Sequence, residues 1–302
     1  MYDQIASNKR RSVLLIAGFV LLIALIGWAF DQVIGFGIGA VAFALIFAIV
    51  ASWGAYWKSD AIALAMSHAH PADPVEYARL HNVVEGLCIA AGLPKPRLYI
   101  IDDEAPNAFA TGRNPQHAAV AVTTGLLDKM NRVELEGVLA HELSHVKNYD
   151  ILVSTLAVTL VGVVALLSDF GLRTIFWGGG RQGRREGDSN NASAIFAILG
   201  FALLILTPIA AKMMQMAVSR KRESLADVSG VALTRYPPGL ISALEKLKDD
   251  QTVVHSGSRA TAHLWIEAPV ARKPEEGRLA WLGRMFDTHP PLEERIEALR
   301  EL

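Results

Sequence analysis

His141-Glu142-Leu143-Ser144-His145 is the stretch on which the reading of this chain turns. On a helix, residues four apart share a face, so both imidazoles come together where their neutral nitrogens can bind one zinc ion. Glu142 lies beside the first histidine, placed to take a proton from water at the metal, which makes that water acidic near neutral pH. A chain of this length shows the bare pattern by accident on the order of one time in a hundred. An amphipathic helix with two exposed histidines would carry it too. The flanks favour the metal: Asn131 with Glu134 three residues on is a capping-box start, and Val138, Leu139, Leu143 and Val146 set apolar groups around the histidines.

A catalytic zinc usually takes three protein ligands and keeps one position open. The segment from Ser219 to Gly230 carries Glu223 and Asp227 four apart on one helical face. Glu223 is the candidate third ligand, and Asp227 is placed to hold a ligating histidine from outside. The plain alternative is a solvated acidic pair balancing Arg220, Lys221 and Arg222.

Around these motifs the chain is apolar: 52% of its 302 residues are hydrophobic and the mean hydropathy is +0.29, more than a soluble domain normally carries. Four stretches, 13–30, 33–53, 151–168 and 193–211, approach the roughly 20 residues that span a bilayer core. Twenty-nine basic against 30 acidic residues leave no basic excess to attract nucleic acid. The single cysteine, Cys88, sits in an apolar run and reads as core, which suits a reducing compartment.

The first two stretches are separated by Asp31 and Gln32 and predict a tight hairpin, with Lys9, Arg10 and Arg11 placing its outer ends in the cytoplasm. Gly35, Gly37 and Gly39 read as small residues for close helix packing. The chain divides into a membrane hairpin (1–57), the first half of a cytoplasmic catalytic domain (58–150), a second membrane hairpin (151–211, loop 169–192) and the second half of the domain (212–302). Within the first half, Asp73, Pro74 and Glu76 predict a helix start running to about Gly92. Arg97–Ile101 and Ala118–Thr123 predict two strands joined by a turn-rich connection. His68, His70, His81, His117, His255 and His263 read as surface or core residues. The fold class expected is α+β and mostly helical: four transmembrane helices and a zincin-like metallopeptidase domain with a small sheet.

Four segments carry a resemblance: Asn107-Ala-Phe-Ala-Thr-Gly112, the run His141 to His145, Ser219 to Asp227, and Thr288-His-Pro-Pro-Leu-Glu-Glu-Arg295. In this order, with the apolar stretches, the chain resembles the HtpX family of membrane zinc metallopeptidases, which is related to the CAAX prenyl proteases. The resemblance implies one zinc per chain on His141, His145 and Glu223, with Glu142 as base. It implies a cleft lined by Asn107, Ala108, Phe109 and the strand holding Ala121, where an extended peptide adds to a free edge. It places His289, oriented by Arg295, at the oxyanion; the plainer reading of His289 is a histidine at a helix start before Pro290 and Pro291. One departure is Ser224, where the family usually has an aromatic residue. The implied function is proteolytic quality control of misfolded or damaged membrane proteins in the inner membrane, with membrane or unfolded polypeptides as substrates. A protease dedicated to prenylated peptides and a zinc-stabilised scaffold without turnover are the competing readings.

If His145 and Glu223 share an ion, the third and fourth stretches must leave and return on one side, and the zinc lies within roughly 10 to 20 Å of the membrane surface by helical rise. Arg173, Arg181, Arg184 and Arg185 in the loop between them run against the positive-inside tendency. Full crossing remains the expectation.

Overall fold

The structure, a computed structural model, describes residues 2–34, 38–160, 162–163, 220–250, 252–254, 264–266 and 290–302. Two long helices come first, α1 (Tyr2–Ile34) and α2 (Ile38–Met66). Asp31 and Gln32, the expected turn, lie on α1, and residues 35–37 lie outside the described residues. Gly39 lies on α2, and among the described residues nothing comes within 4 Å of where its Cβ would be.

Large apolar side chains stand exposed along both helices, among them Leu14, Leu21 and Trp28 on α1 and Phe43, Ile46 and Trp53 on α2. Such surface is costly in water and suits hydrocarbon. Among the described residues one segment, Val41–Met66, is long and apolar enough to cross a membrane by length and composition. The third apolar stretch begins as the helix Asp150–Leu160, whose described residues are largely buried against α1 and α2. The fourth stretch and the loop before it lie outside the described residues.

A four-stranded sheet follows α2. Its strands are β1 (His70–Pro71), β2 (Arg97–Ile101), β3 (Ala108–Gly112) and β4 (Ala118–Thr123), in the order β1-β2-β4-β3. β2 and β4 pair in parallel, and β3 pairs antiparallel to β4 with Phe109 opposite Ala121. β3 occupies what the sequence suggested was a plain connection, because the turn residues Pro106 and Asn107 precede it, Gly112 ends it, and it has only five residues. Every residue of β4 is buried, since both its edges are paired and both its faces are covered. One face of the sheet, with Ile100, Ala110, Val120 and Val122, packs on the helical core. The other, with Ile101, Phe109, Ala119 and Ala121, packs on the end of α2 and on Trp265.

Between β1 and β2 lies α3 (Ala78–Ala91), closed by Gly92 in the left-handed region. It starts later than Asp73 predicts: Asp73 Oδ1 does accept from the N–H groups of Val75 and Glu76, but Tyr77 at φ −104° and ψ 36° interrupts the regular helix. A short α4 (Thr124–Lys129) leads into α5 (Arg132–Lys147). After α6 (Asp150–Leu160) come α7 (Arg220–Thr234), α8 (Pro237–Asp249) and α9 (Leu292–Arg300).

Two glycines let α5 sit tightly among these helices. A Cβ on Gly137 would lie 2.8 Å from the Leu240 nitrogen of α8, and one on Gly230 of α7 would lie 3.0 Å from the His141 nitrogen. Helix axes approach this closely only where a side chain is missing.

Candidate metal centre

α5 is held in place from its first turn. Asn131 Oδ1 accepts from the backbone of Val133 and Glu134, and Glu134 returns the bond to the Asn131 N–H at 2.8 Å, the capping box expected from the sequence. Lys246 of α8 fastens the same glutamate at 2.7 Å. Two turns on, His141 and His145 bring their Nε2 atoms to 3.2 Å. α7 supplies Glu223, whose carboxylate oxygens lie 3.5 Å from His145 Nε2 and 3.7 Å from His141 Nε2.

These three residues offer ligand atoms that all lie within 4.8 Å of one another. Zinc–nitrogen bonds of about 2.0–2.1 Å at a tetrahedral angle would space two ligand nitrogens about 3.3 Å apart. The donors therefore fit zinc in type and in spacing, and two imidazoles with one carboxylate make the set that leaves a fourth position open.

Each histidine is held through its other nitrogen. His141 Nδ1 lies 2.8 Å from Asp227 Oδ1, and His145 Nδ1 lies 3.1 Å from Asp150 Oδ2. A carboxylate at Nδ1 takes the N–H and turns the Nε2 lone pair towards the shared point. Arg295 grips Asp227 with two bonds, Nε to Oδ2 at 2.9 Å and Nη2 to Oδ1 at 2.7 Å. The 3.4 Å approach of Arg295 Nη2 to His141 Nδ1 is a neighbour contact, not a hydrogen bond, because both atoms carry hydrogen.

The electrostatics follow from burial among charges. Burial opposes a charge on His141, yet Asp227 and Glu223 outweigh it and push the imidazole up to about 9. Burial opposes a charge on His145 as well, and Glu223 with Asp150 still raises it. Glu142 is 2% exposed. Its carboxyl is pushed up chiefly by burial, against the pull of both histidines and a backbone hydrogen bond with Ala110 of β3.

The other residues singled out from the sequence fall as follows. Asn107 aligns with Thr123 at the head of β3, its carbonyl accepting from the Thr123 N–H, and its side chain accepts from the Ala108 N–H at 3.0 Å. This register turns the backbone groups of Ala108, Ala110 and Gly112 away from β4. Among the described residues the edge strand on this side is β3 and not that of Ala121, whose strand is paired on both sides. Much of that edge is already used: the Ile266 N–H donates to the Ala108 carbonyl at 2.9 Å, the Gly112 N–H donates to Thr155 Oγ1 at 3.3 Å, and the Ala110 backbone bonds the Glu142 carboxylate. Phe109 is fully buried, its ring meeting Trp265 edge-on at 4.9 Å, so its side chain does not face a cleft. Arg295 forks onto Asp227 and its Nη1 donates to the Ile266 carbonyl at 3.2 Å, while its expected partner His289 lies outside the described residues.

Sequence reasoning missed Asp150, Asn8 and Arg222. Asp150 is a carboxylate one turn past His145, a signal of the kind that singled out Asp227. Asn8 gives no signal, being a polar residue at the head of an apolar helix 142 positions from its partner.

Known proteins resemble this chain over most or all of its length. The profile described as peptidase family M48 matches residues 74–302. A protein named protease HtpX homolog from Thermoanaerobacter pseudethanolicus is 44% identical over 302 residues, covering all of this chain and 98% of that one. Another of that name from Limosilactobacillus fermentum is 46% identical over 307 residues, covering both chains completely. In fold, the chain is similar to the crystal structure of S. mikatae Ste24p, with a TM-score of 0.50 and 20% identity, covering 99% of this chain and 67% of that one.

Proposed function

The chain belongs to peptidase family M48, and from that premise we propose that it is a zinc-dependent endopeptidase of the cell membrane. It cleaves misfolded or damaged membrane proteins from the cytoplasmic side. The observation that carries this reading is the convergence of His141, His145 and Glu223 on one point, with a carboxylate behind each histidine.

His141, His145 and Glu223 hold the ion, and Asp227 and Asp150 fix the two rings. A zinc ion bound there supplies a Lewis acid for the peptide carbonyl and makes water acidic near neutrality. Glu142 is the general base. It takes a proton from the attacking water and passes it to the leaving amine. The extended substrate lies along the edge of β3 at the outward Ala110 carbonyl, between Ala108, whose carbonyl accepts from Ile266, and Gly112, whose N–H donates to Thr155 Oγ1 at 3.3 Å. Asn107 sets the start of that edge. The apolar surface of α1 and α2 supports a site tied to a bilayer.

The decisive experiment pairs zinc content with cleavage of an unfolded protein by the full chain in detergent. Glu142→Gln should retain about one zinc per chain and lose cleavage by about a hundredfold or more, in the range that a general base contributes. Retained cleavage would remove Glu142 from its role. Wild-type protein that holds zinc and never cleaves would favour the scaffold reading instead.

A further inference from the structure

The first helix of the chain reaches the metal centre. Asn8 of α1 is 2% exposed and stands 142 positions from Asp150 in sequence, yet its Nδ2 donates to Asp150 Oδ1 at 2.7 Å and to the Asn148 carbonyl at 2.9 Å. Its Oδ1 accepts from Arg222 Nη1 at 3.5 Å, one residue before the ligand Glu223. Arg222 Nε lies 3.5 Å from the same Asp150 oxygen that Asn8 holds.

The backbone at this place needs such a clamp. α5 ends at Lys147, and within three residues the chain must turn so that Asp150 heads α6 while its carboxylate points back at His145. Tyr149 accomplishes the turn at φ 60°, a left-handed conformation unfavourable for an aromatic residue. The Asn8 amide bridges the two sides of that residue, Asn148 before it and Asp150 after it. With Oδ1 fastened by Asn8, Asp150 presents Oδ2 to His145 Nδ1.

We propose that Asn8 is a positioning residue of the metal centre, aiming Asp150 at His145 and thereby making zinc affinity depend on how α1 is seated. The inference rests on the zinc-peptidase reading. It means that the N-terminal helix is a structural part of the active site as well as an anchor. Substitutions in the second sphere of a zinc site typically cost 10–100-fold in metal affinity, and Asn8 acts one step further out, through Asp150.

The test is zinc affinity of the full-length chain in detergent, by competition with a chelator, together with the visible spectrum of the cobalt-substituted protein. Asn8→Ala should weaken zinc binding about tenfold and alter the cobalt bands. Asn8→Asp keeps the size of the side chain but loses the donor, and should do the same even if the alanine variant folds poorly. Ser12→Ala changes another buried polar residue of α1, which bonds within its own helix, and should leave affinity within about twofold. In an Asp150→Asn background, Asn8→Ala should cost less than about twofold further, because the group through which it acts is already altered. Unchanged affinity in both Asn8 variants, or an equal loss in the wild-type and Asp150→Asn backgrounds, overturns the proposal. A wild-type chain that fails to bind zinc at all would instead sink the peptidase reading on which it stands.

Discussion

At the residue scale, His141 shows which effect wins where a buried imidazole meets carboxylates. Burial favours the neutral ring, but Asp227 at 2.8 Å and Glu223 beyond it raise the imidazole from 6.5 to about 9. A raised cationic group stabilises the fold most fully below its unfolded value, and that contribution is lost as pH rises through the folded value. The metal-free protein should therefore lose stability between about pH 6.5 and 9. Zinc affinity should climb across the same window, since fewer protons have to be displaced. Thermal unfolding at several pH values, with and without chelator, checks both; a metal-free melting point that rises over that window would refute the coupling. Arg295 poses a related question. Burial drives Asp227 up, and Arg295 followed by His141 holds it below the usual carboxylate range. Arg295→Ala would leave that buried carboxylate without its forked partner, so we expect a loss of about 3–5 kcal/mol in stability, measurable by denaturant titration. A change under about 1 kcal/mol would mean that water replaces the guanidinium. The two histidines that converge on the candidate site were legible in the sequence, because a four-residue spacing on a helix fixes where two side chains point. The groups behind them were legible only when they lay on the same short helix as a ligand, as Asp227 does. Asn8 and Ile266 arrive through tertiary folding, and nothing local marks them.

At the element scale, the centre depends on α5 and α7 lying nearly in contact. Gly230 faces the backbone of His141, and an added Cβ would sit 3.0 Å from a nitrogen that cannot swing aside. Alanine is the better helix former by about 1 kcal/mol, so Gly230→Ala would stabilise an isolated α7. Overpacking acts in the other direction, at about 1–3 kcal/mol, and should dominate because the obstruction is main chain. The expected result is a lower denaturation midpoint and reduced zinc occupancy, as α7 moves Glu223 away from the two histidines. A midpoint that rises with full occupancy would show that the helices yield without cost. The sheet gives the opposite lesson about legibility. β2 and β4 were evident from their β-branched and apolar runs, but β3 was not, since Asn107-Ala-Phe-Ala-Thr-Gly112 is short, rich in small residues and bounded by turn formers. It becomes a strand because β4 offers it a pairing edge and Trp265 covers its outer face. No intrinsic propensity of the segment would have fixed that.

At the scale of the whole molecule, the metal centre constrains the topology more firmly than hydropathy does. His145 and Glu223 approach to 3.5 Å, so the two ends of the segment that joins them lie on one side. Asn8 ties the head of α1 to the same centre, and the end of α2 packs against the sheet, so the first hairpin also opens towards that side. Apolar composition could announce these stretches but could not say what covers them. In the described part of the third stretch the partners are α1 and α2, with Leu152, Leu156 and Leu160 buried against them. Orientation then rests on charge. Lys9, Arg10 and Arg11 flank the first hairpin and favour a cytoplasmic catalytic side, whereas Arg173, Arg181, Arg184 and Arg185 would resist export of the later loop. The first two apolar stretches are made earlier in synthesis, and Asn8 fastens the head of α1 to the folded catalytic half, so we expect their basic flank to prevail. An enzyme reporter active only outside the cytoplasm, fused within residues 178–191, should then be active, and the same reporter at the C-terminus silent. Silence at both positions would mean that the second hairpin turns back inside the bilayer. Activity at both would reverse the assigned orientation and place the peptidase on the outer face.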